Sequence, residues 1–394
     1  VPSKNQKLTT KDKNPLHICF LTHEYPMTGR AQGGIGSMVQ TLGRALCERG
    51  IKVSVVGVMN GIDQEIHEQN EGVDVWRLPA AKWPAGNFIP NSRRLVTKLH
   101  QIHAKNPIDI IEGSELSFAF IPGSFPAKKV IRMHGGHHFF AVTLGKKPAP
   151  WRSFQERRSF AKADALIAVS DYVGRTTKEL LGLDSAFTTI YNLVDTTEFY
   201  EADRSKVVPG KLLFVGTVTE KKGVRQLVQA MPEILEAFPD ATLEIVGRDW
   251  FDPQTGASYT EYLKTFIGED IEHAVKIVGP LPHTEIPKQL EEAEVCVYPS
   301  HMEAQGLVVA EAMSMGKAIV FSKFGPGPEM IKDLESGLLC DPLDPSDIAK
   351  KIIYMLQHPK EAASMGINAR KDILNRFNPG KIVQQNIDFY RALI

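Results

Sequence analysis

Apolar residues in this chain come in short bursts of strand length, separated by stretches in which they recur every three or four positions. The first burst, His17-Ile-Cys-Phe-Leu-Thr22, is followed by Gly33-Gly34-Ile35-Gly36. From Ser37 to Arg49 the residues Met38, Leu42, Ala45 and Leu46 then fall on one helical face, and Gly50 ends that helix. Further strand-like runs are Val53–Val58, Val73–Leu78, Ile108–Glu112, Lys129–Met133, Ala165–Ser170 and Thr188–Asn192. The second half repeats the rhythm with Leu212–Val215, Thr242–Val246, Val275–Val278, Val295–Tyr298 and Ala318–Phe321. Between them lie helical patterns at Val224–Phe238, Tyr259–Ile267, Glu285–Glu292, Leu307–Met315 and, last, Pro345–Leu356. Strands alternating with helices predict parallel sheets covered on both faces.

Two such series, with a break near Val194–Gly210, predict an α/β protein of two Rossmann-like doubly wound domains facing across a cleft. The expected division is a flexible tail over 1–14, a first domain over 15–193, a second over 194–378, and a terminal helix over 379–394 that packs on the body or crosses back to the first domain. In doubly wound sheets ligands bind beyond the carboxyl ends of the strands, so the loops there are where chemistry is sought.

The length of 394 residues suits two domains, and 43% hydrophobic with 23% charged residues is an ordinary globular balance. Lys and Arg total 46 and so do Asp and Glu, which leaves no bulk field of the kind a nucleic-acid binder uses. Neutrality conceals an asymmetry: residues 1–200 carry 25 basic against 18 acidic side chains, and residues 201–394 carry 21 against 28. A basic first half suits an anionic acceptor or peripheral contact with a membrane surface; drift in surface charge explains it equally well. Cys19, Cys47, Cys296 and Cys340 are widely spaced, without a C-x-x-C pair or zinc spacing, so buried thiols, a reducing cytoplasmic setting and no metal are expected.

The stretch richest in chemistry is Ser300-His-Met-Glu303-Ala304-Gln305-Gly306-Leu307-Val-Val-Ala-Glu311-Ala-Met-Ser-Met-Gly316. A loop leaves the strand Val295–Tyr298 and a helix begins near Gly306. Glu303 and Glu311 stand eight residues apart, one in the loop and one past the first helical turn. Free amides at the helix start favour an anion such as a pyrophosphate, and flanking carboxylates accept hydrogen bonds from sugar hydroxyls.

These residues resemble the E-x7-E signature of the family-4 glycosyltransferases of the GT-B fold. Other motifs follow in the family's order over about residues 15–380: Gly33-Gly34 after the first strand; His134 in Arg132-Met133-His134-Gly135; Ile190-Tyr-Asn192-Leu-Val194-Asp195 at the crossing between domains; Val215-Gly216-Thr217-Val218-Thr219-Glu220-Lys221-Lys222-Gly223; and Gly325-Pro-Gly327-Pro-Glu329. At the crossing, Tyr191 and Leu193 replace the usual Pro and Gly. Thr217 stands where the family usually has Arg, so half of the expected diphosphate clamp is missing; Lys221, Arg225 and Arg248 are the candidates to replace it.

The resemblance implies a retaining, metal-independent transfer of a sugar from a UDP-, GDP- or ADP-sugar to a glycan, lipid-linked or small-molecule acceptor, by same-face substitution. It implies that Glu311 binds ribose hydroxyls, that Glu303 with the backbone of Ala304 and Gln305 meets the donor sugar, and that amides of Gly306 and Leu307 support the sugar–phosphate region. Lys222 neutralises the diphosphate beside Thr217, the backbone near Gly279, Pro280 and Leu281 frames the base, and His134, Gly33 and Gly34 reach in from the first domain. His134, Glu303 and Lys222 form the catalytic set. Two alternatives stay open: a nucleotide-sugar epimerase on the same scaffold, and a catalytically degenerate nucleotide-sugar-binding protein. Each motif also has a plain reading. His134 can be an ordinary strand-end histidine, Lys222 a surface lysine, Glu329 a helix cap, and Asn192 and Asp195 turn residues. For the acceptor side, the basic helix Asn91–Lys105 and the aromatic, basic stretch from His137 to Arg158, read as a loop or flap, are the candidates.

Overall fold

The computed structural model describes residues 15–27, 33–82 and 88–394; the tail expected over 1–14 lies outside them. An eight-stranded sheet comprises β1 (His17–Leu21), β2 (Lys52–Met59), β3 (Ile66–Asn70), β4 (Val73–Pro79), β5 (Ile110–Gly113), β6 (Lys128–Met133), β7 (Ala165–Ala168) and β8 (Thr188–Thr189), in the order β3-β4-β2-β1-β5-β6-β7-β8. Only β3 is shown running antiparallel, against β4. It was not expected from the pattern because Ile66-His-Glu-Gln-Asn70 is nearly all polar, as an outermost strand with solvent on its flanks can be. A six-stranded parallel sheet follows: β9 (Lys211–Val215), β10 (Thr242–Val246), β11 (Val275–Gly279), β12 (Val295–Tyr298), β13 (Ala318–Ser322) and β14 (Leu338–Cys340), in the order β11-β10-β9-β12-β13-β14. That is the doubly wound order, with a switch between β9 and β12.

Alternation along β9 shows why its run is continuously apolar. Leu212 and Phe214 enter one buried cluster, with Val224, Leu227 and Ile352, while Leu213 and Val215 enter another, with Val309, Met313 and Phe377. Helices cover both faces, so every position of the strand is buried.

The chain packs into two compact units. One comprises the described residues up to Arg132 with Phe154–Leu166 and Val383–Ile394; the other comprises Met133–Ser153 and Ile167–Ile382. Within the first, the terminal helix Pro379–Arg391 is tied down by a buried polar network. The Arg132 guanidinium donates to Glu112 at 2.7 Å and 3.1 Å and to Asn386 Oδ1 at 2.5 Å, and the Tyr390 hydroxyl donates to Glu112 Oε2 at 2.7 Å. Both Arg132 and Glu112 are buried, so each charge depends on the other for solvation.

The stretch from His137 to Arg158 forms two helices, His137–Thr143 and Pro150–Phe160, rather than a loop. Its aromatics alternate between covered and exposed: Phe139 is buried, whereas Trp151 and Phe154 are each 49% exposed. No helix among the described residues is long and apolar enough to cross a membrane. All four cysteines are free thiols, three of them buried.

Candidate functional site

Two βα loops of the larger unit build the centre of the site. The first leaves β9 through Gly216, whose φ is +154°, and passes close to the β10 loop: a Cβ at Gly247 would lie 1.8 Å from the Gly216 carbonyl. It then turns through a short 3-10 helix, Glu220–Lys222, closed by Gly223 at φ +69°. A Cβ at Gly223 would lie 1.8 Å from the Pro299 carbonyl oxygen, so only glycine lets this turn seat on the β12 loop. The His301 amide donates to the Lys221 carbonyl at 2.9 Å, fixing the register of the two loops.

That docking brings Lys222 to Glu303. The ammonium donates to Glu303 Oε1 at 2.5 Å, and Ser300 Oγ donates to the same oxygen at 2.8 Å. Glu303 is largely buried. Burial alone would raise its pKa, but the charges of Lys222 and Lys221 and the two hydrogen bonds outweigh it and hold the carboxyl below its ordinary value. The site therefore contains a buried, ionised carboxylate beside a cation that still has donors to spare.

The remainder of the β12 loop is braced by its own residues. Gln305 does not point its amide at an open site: its Oε1 accepts from the Asn192 amide at 2.7 Å and its Nε2 donates to the Asn192 carbonyl at 3.3 Å. Ser170 Oγ donates to the Ala304 carbonyl at 2.6 Å. Gly306, left-handed at φ +91°, ends the loop and starts the helix Leu307–Ser314. Glu311 lies on that helix, with His283 Nε2 3.6 Å from its Oε1. The other ring nitrogen, Nδ1, donates to Glu198 Oε1 at 2.9 Å. The hydrogen bond to Glu198, then the nearby Glu311 carboxylate, push the imidazole up to about 10 against the cost of burial, so His283 is a cation at neutral pH.

Of the candidates to replace the family arginine, Arg225 is taken up by Glu220, at 2.7 Å and 3.0 Å. Lys221 lies over the Phe140 ring at 4.1 Å, where burial and neighbouring Lys222 lower its pKa. Arg248 Nε donates to Thr217 Oγ1 at 3.4 Å and its side chain is exposed, which makes it the arginine standing next to the position in question. Glu329 is a structural cap. It accepts from the amides of Asp171 and Tyr172 at 2.8 Å and 3.1 Å, at the start of the helix Asp171–Leu181, and from the Tyr191 hydroxyl at 2.7 Å. The departure from Pro to Tyr at 191 thus has a use. Asp195 accepts from the amides of Thr197 and Glu198, as a turn residue does.

The other expected residues are placed as follows. His134 is half-buried directly after β6 and before Gly135, whose φ is +83°. Gly279 ends β11 at φ +86°, with nothing within 4 Å of an added Cβ, and Leu281 packs at the edge of the second cluster. Gly33 and Gly34 belong to the smaller unit. There Gly33 precedes the helix Gly34–Cys47, and a Cβ on it would meet the Glu24 carboxylate at 2.0 Å. Sequence reasoning missed His283, Glu198 and Ser300. His283 lies two residues beyond the Gly279-Pro-Leu281 segment, and that nearness is the one available signal.

Two family models match the chain in succession: Glycosyltransferase Family 4 over residues 32–198 and Glycosyl transferases group 1 over residues 196–372. A glycogen synthase of Mycobacterium tuberculosis is 29% identical over 412 aligned positions, covering 96% of this chain and 95% of the relative. The N-acetyl-alpha-D-glucosaminyl L-malate synthase of Bacillus anthracis is 23% identical, covering 91% and 93%. Among solved structures, sucrose-phosphate synthase from Thermosynechococcus elongatus superimposes with a TM-score of 0.79 at 23% identity, over 96% of this chain and 99% of that one. HepE of Anabaena, solved with UDP and glucose, does so with a TM-score of 0.74 at 19% identity, over 95% and 99%. The two sheets are those of the GT-B fold, and the chain belongs to the family-4, group 1 glycosyltransferases.

Proposed function

We propose that the protein moves a sugar from a nucleotide-sugar to an acceptor with retention at the anomeric carbon, and that the larger unit holds the donor. In this reading Glu303 accepts from hydroxyls of the donor sugar and Glu311 from those of the ribose. The backbone of Ala304, Gln305, Gly306 and Leu307 lines the sugar–phosphate region, that of Gly279 and Leu281 frames the base, and Lys222 meets the diphosphate. For His134, Gly33 and Gly34 the roles are those that the family resemblance implies. The observation that carries it is the pair Lys222–Glu303, brought together from two loops at 2.5 Å in front of the helix that bears Glu311. The Anabaena structure with UDP and glucose supports a nucleotide-sugar as the donor class.

Cleaving a glycosyl–phosphate bond builds positive charge on the sugar ring and negative charge on the departing diphosphate. Cations fixed beforehand near that diphosphate gain more from the transition state than from the ground state. Lys222 has two donors beyond the one given to Glu303, and Arg248 stands by Thr217 as the second charge. With those cations and the helix amides carrying the leaving charge, the reaction runs without a metal. The acceptor hydroxyl attacks from the face the diphosphate leaves, and its proton passes to a departing phosphate oxygen. His134 positions the reacting ring.

The test is release of nucleoside diphosphate from UDP-, GDP- and ADP-sugars in the presence of glycan and lipid-linked acceptors, with and without EDTA. One donor should turn over, EDTA should leave the rate unchanged, and Glu303→Gln should abolish transfer while the fold survives. Undiminished turnover in that variant would remove Glu303 from the reaction. Conversion of donor to an epimer without acceptor would replace the reading with an isomerase.

A further inference from the structure

We infer that His283 is a positioning residue for the nucleotide's ribose: held by Glu198 on one ring nitrogen, it faces Glu311 with the other and so orients the free edge of the Glu311 carboxylate toward a vicinal diol. The inference rests on the donor reading above and adds to it a residue pair on two further segments. Its basis is a chain of three side chains on independently fixed backbone. His283 Nδ1 reaches Glu198 Oε1 at 2.9 Å, and Nε2 faces Glu311 Oε1 at 3.6 Å. The ring stands edge-on to Phe199, with centroids 5.3 Å apart and planes at 81°.

Each anchor is itself held. Asp195 Oδ1 accepts from the Glu198 amide at 3.2 Å, and the Phe199 amide donates to the Asp195 carbonyl at 2.8 Å. Ser314 Oγ, at the end of the helix that carries Glu311, donates to the Phe199 carbonyl at 2.7 Å. His283 opens a 3-10 turn directly after Pro282, so its backbone enters with little freedom. A glutamate free to rotate would have to be ordered when ligand binds; here the ordering is done beforehand.

The charge count identifies the kind of group the site takes. Two carboxylates share one imidazolium, so the cluster keeps a net negative charge and an excess of acceptor lone pairs. Such a site favours hydroxyl donors and repels phosphate. Because His283 faces only one oxygen of Glu311, Oε2 remains for a ligand's two hydroxyls.

The experiment is titration calorimetry of UDP, ADP and GDP, each beside its 2′,3′-dideoxy analogue, against wild type, Glu311→Ala, His283→Ala and His283→Lys. His283→Ala should weaken the bound ribonucleotide about tenfold and its dideoxy analogue less than twofold, which no general loosening of the fold would produce. His283→Lys, which restores a cation between the two carboxylates, should recover ribonucleotide affinity to within threefold. Equal loss on both analogues, or no loss on either, would overturn the inference while leaving Glu311 at the ribose if Glu311→Ala alone erases the discrimination. Unchanged discrimination in Glu311→Ala would overturn the ribose reading itself, and this inference with it.

Discussion

Replacing Lys222 by methionine keeps the length of the side chain and removes its charge. In the wild type the ammonium sits 2.5 Å from Glu303 Oε1, and the two side chains are only 19% and 11% exposed. An ion pair so placed has a Coulomb attraction of about 6–7 kcal/mol at an effective dielectric near 20, before desolvation is subtracted. Breaking a buried pair by removing one member costs about 3–5 kcal/mol when nothing else compensates. Here the Lys221 charge and the Ser300 hydroxyl remain on Glu303, so about 2–3 kcal/mol of stability is the expected loss. The effect on catalysis should be larger in kind. Loss of one preorganised charge at the leaving group is worth about 10²–10³ in kcat. Steady-state release of nucleoside diphosphate, run beside urea denaturation, reads both quantities. Without its cation, Glu303 also gains a proton more readily, so the residual activity should fall off at a higher pH than in wild type as the solution is acidified. A variant with kcat within threefold of wild type and the same pH profile would refute the placement of this ammonium at the departing diphosphate.

Three further outcomes follow from the same geometry. Gly223→Ala should both destabilise the protein and lower kcat, because it meets the Pro299 carbonyl as well as a left-handed backbone; Gly256→Ala, also left-handed but in open space, should cost only about 1–2 kcal/mol, and the difference between them measures the close approach. Arg132→Met should cost about 3–5 kcal/mol in urea denaturation by stranding Glu112, and Glu112→Leu added to it should recover most of the loss. Burial pushes Glu220 up, but hydrogen bonds from Arg225, Tyr259 and Gln226 hold it down to about 2, so its stabilisation is complete above its ordinary value near 4.5 and disappears as pH falls toward 2. The gap in urea midpoint between wild type and Glu220→Gln should therefore close on acidification through that window.

Much of the fold is legible in the sequence because both sheets are covered on two faces. Runs such as Leu212-Leu-Phe-Val215 have no polar position to blur them, and glycine marks where β9, β10 and β11 give way to loops. Where an element is not doubly covered, the pattern is weaker. Polar β3 leaves no apolar signature, three-residue β14 is too short for one, and the helices within 137–160 carry their aromatics partly outward. The same division holds at the site. Glu303 and Glu311 stand out through their spacing, which places one in the β12 loop and the other on the helix that follows it. Which polar groups those loops spend on themselves does not show in a linear string. Gln305 is used to hold Asn192, Glu329 to cap a helix 158 residues earlier in the chain, and Glu198 meets His283 across 85 residues. Pairings of that separation are set by the packing of loops at one end of a sheet, and only the assembled backbone reveals them.

If Glu303 and Glu311 grip opposite ends of one activated sugar, variants of the two separate by ligand. The direct test compares the affinity of wild type, Glu303→Ala and Glu311→Ala for a nucleoside diphosphate and for the corresponding nucleotide-sugar, under conditions without turnover. Glu311→Ala should weaken both ligands by the same factor, and Glu303→Ala should weaken only the one that carries the sugar. Equal weakening of the bare diphosphate by Glu303→Ala, or wild-type affinity for both ligands in Glu311→Ala, would contradict it.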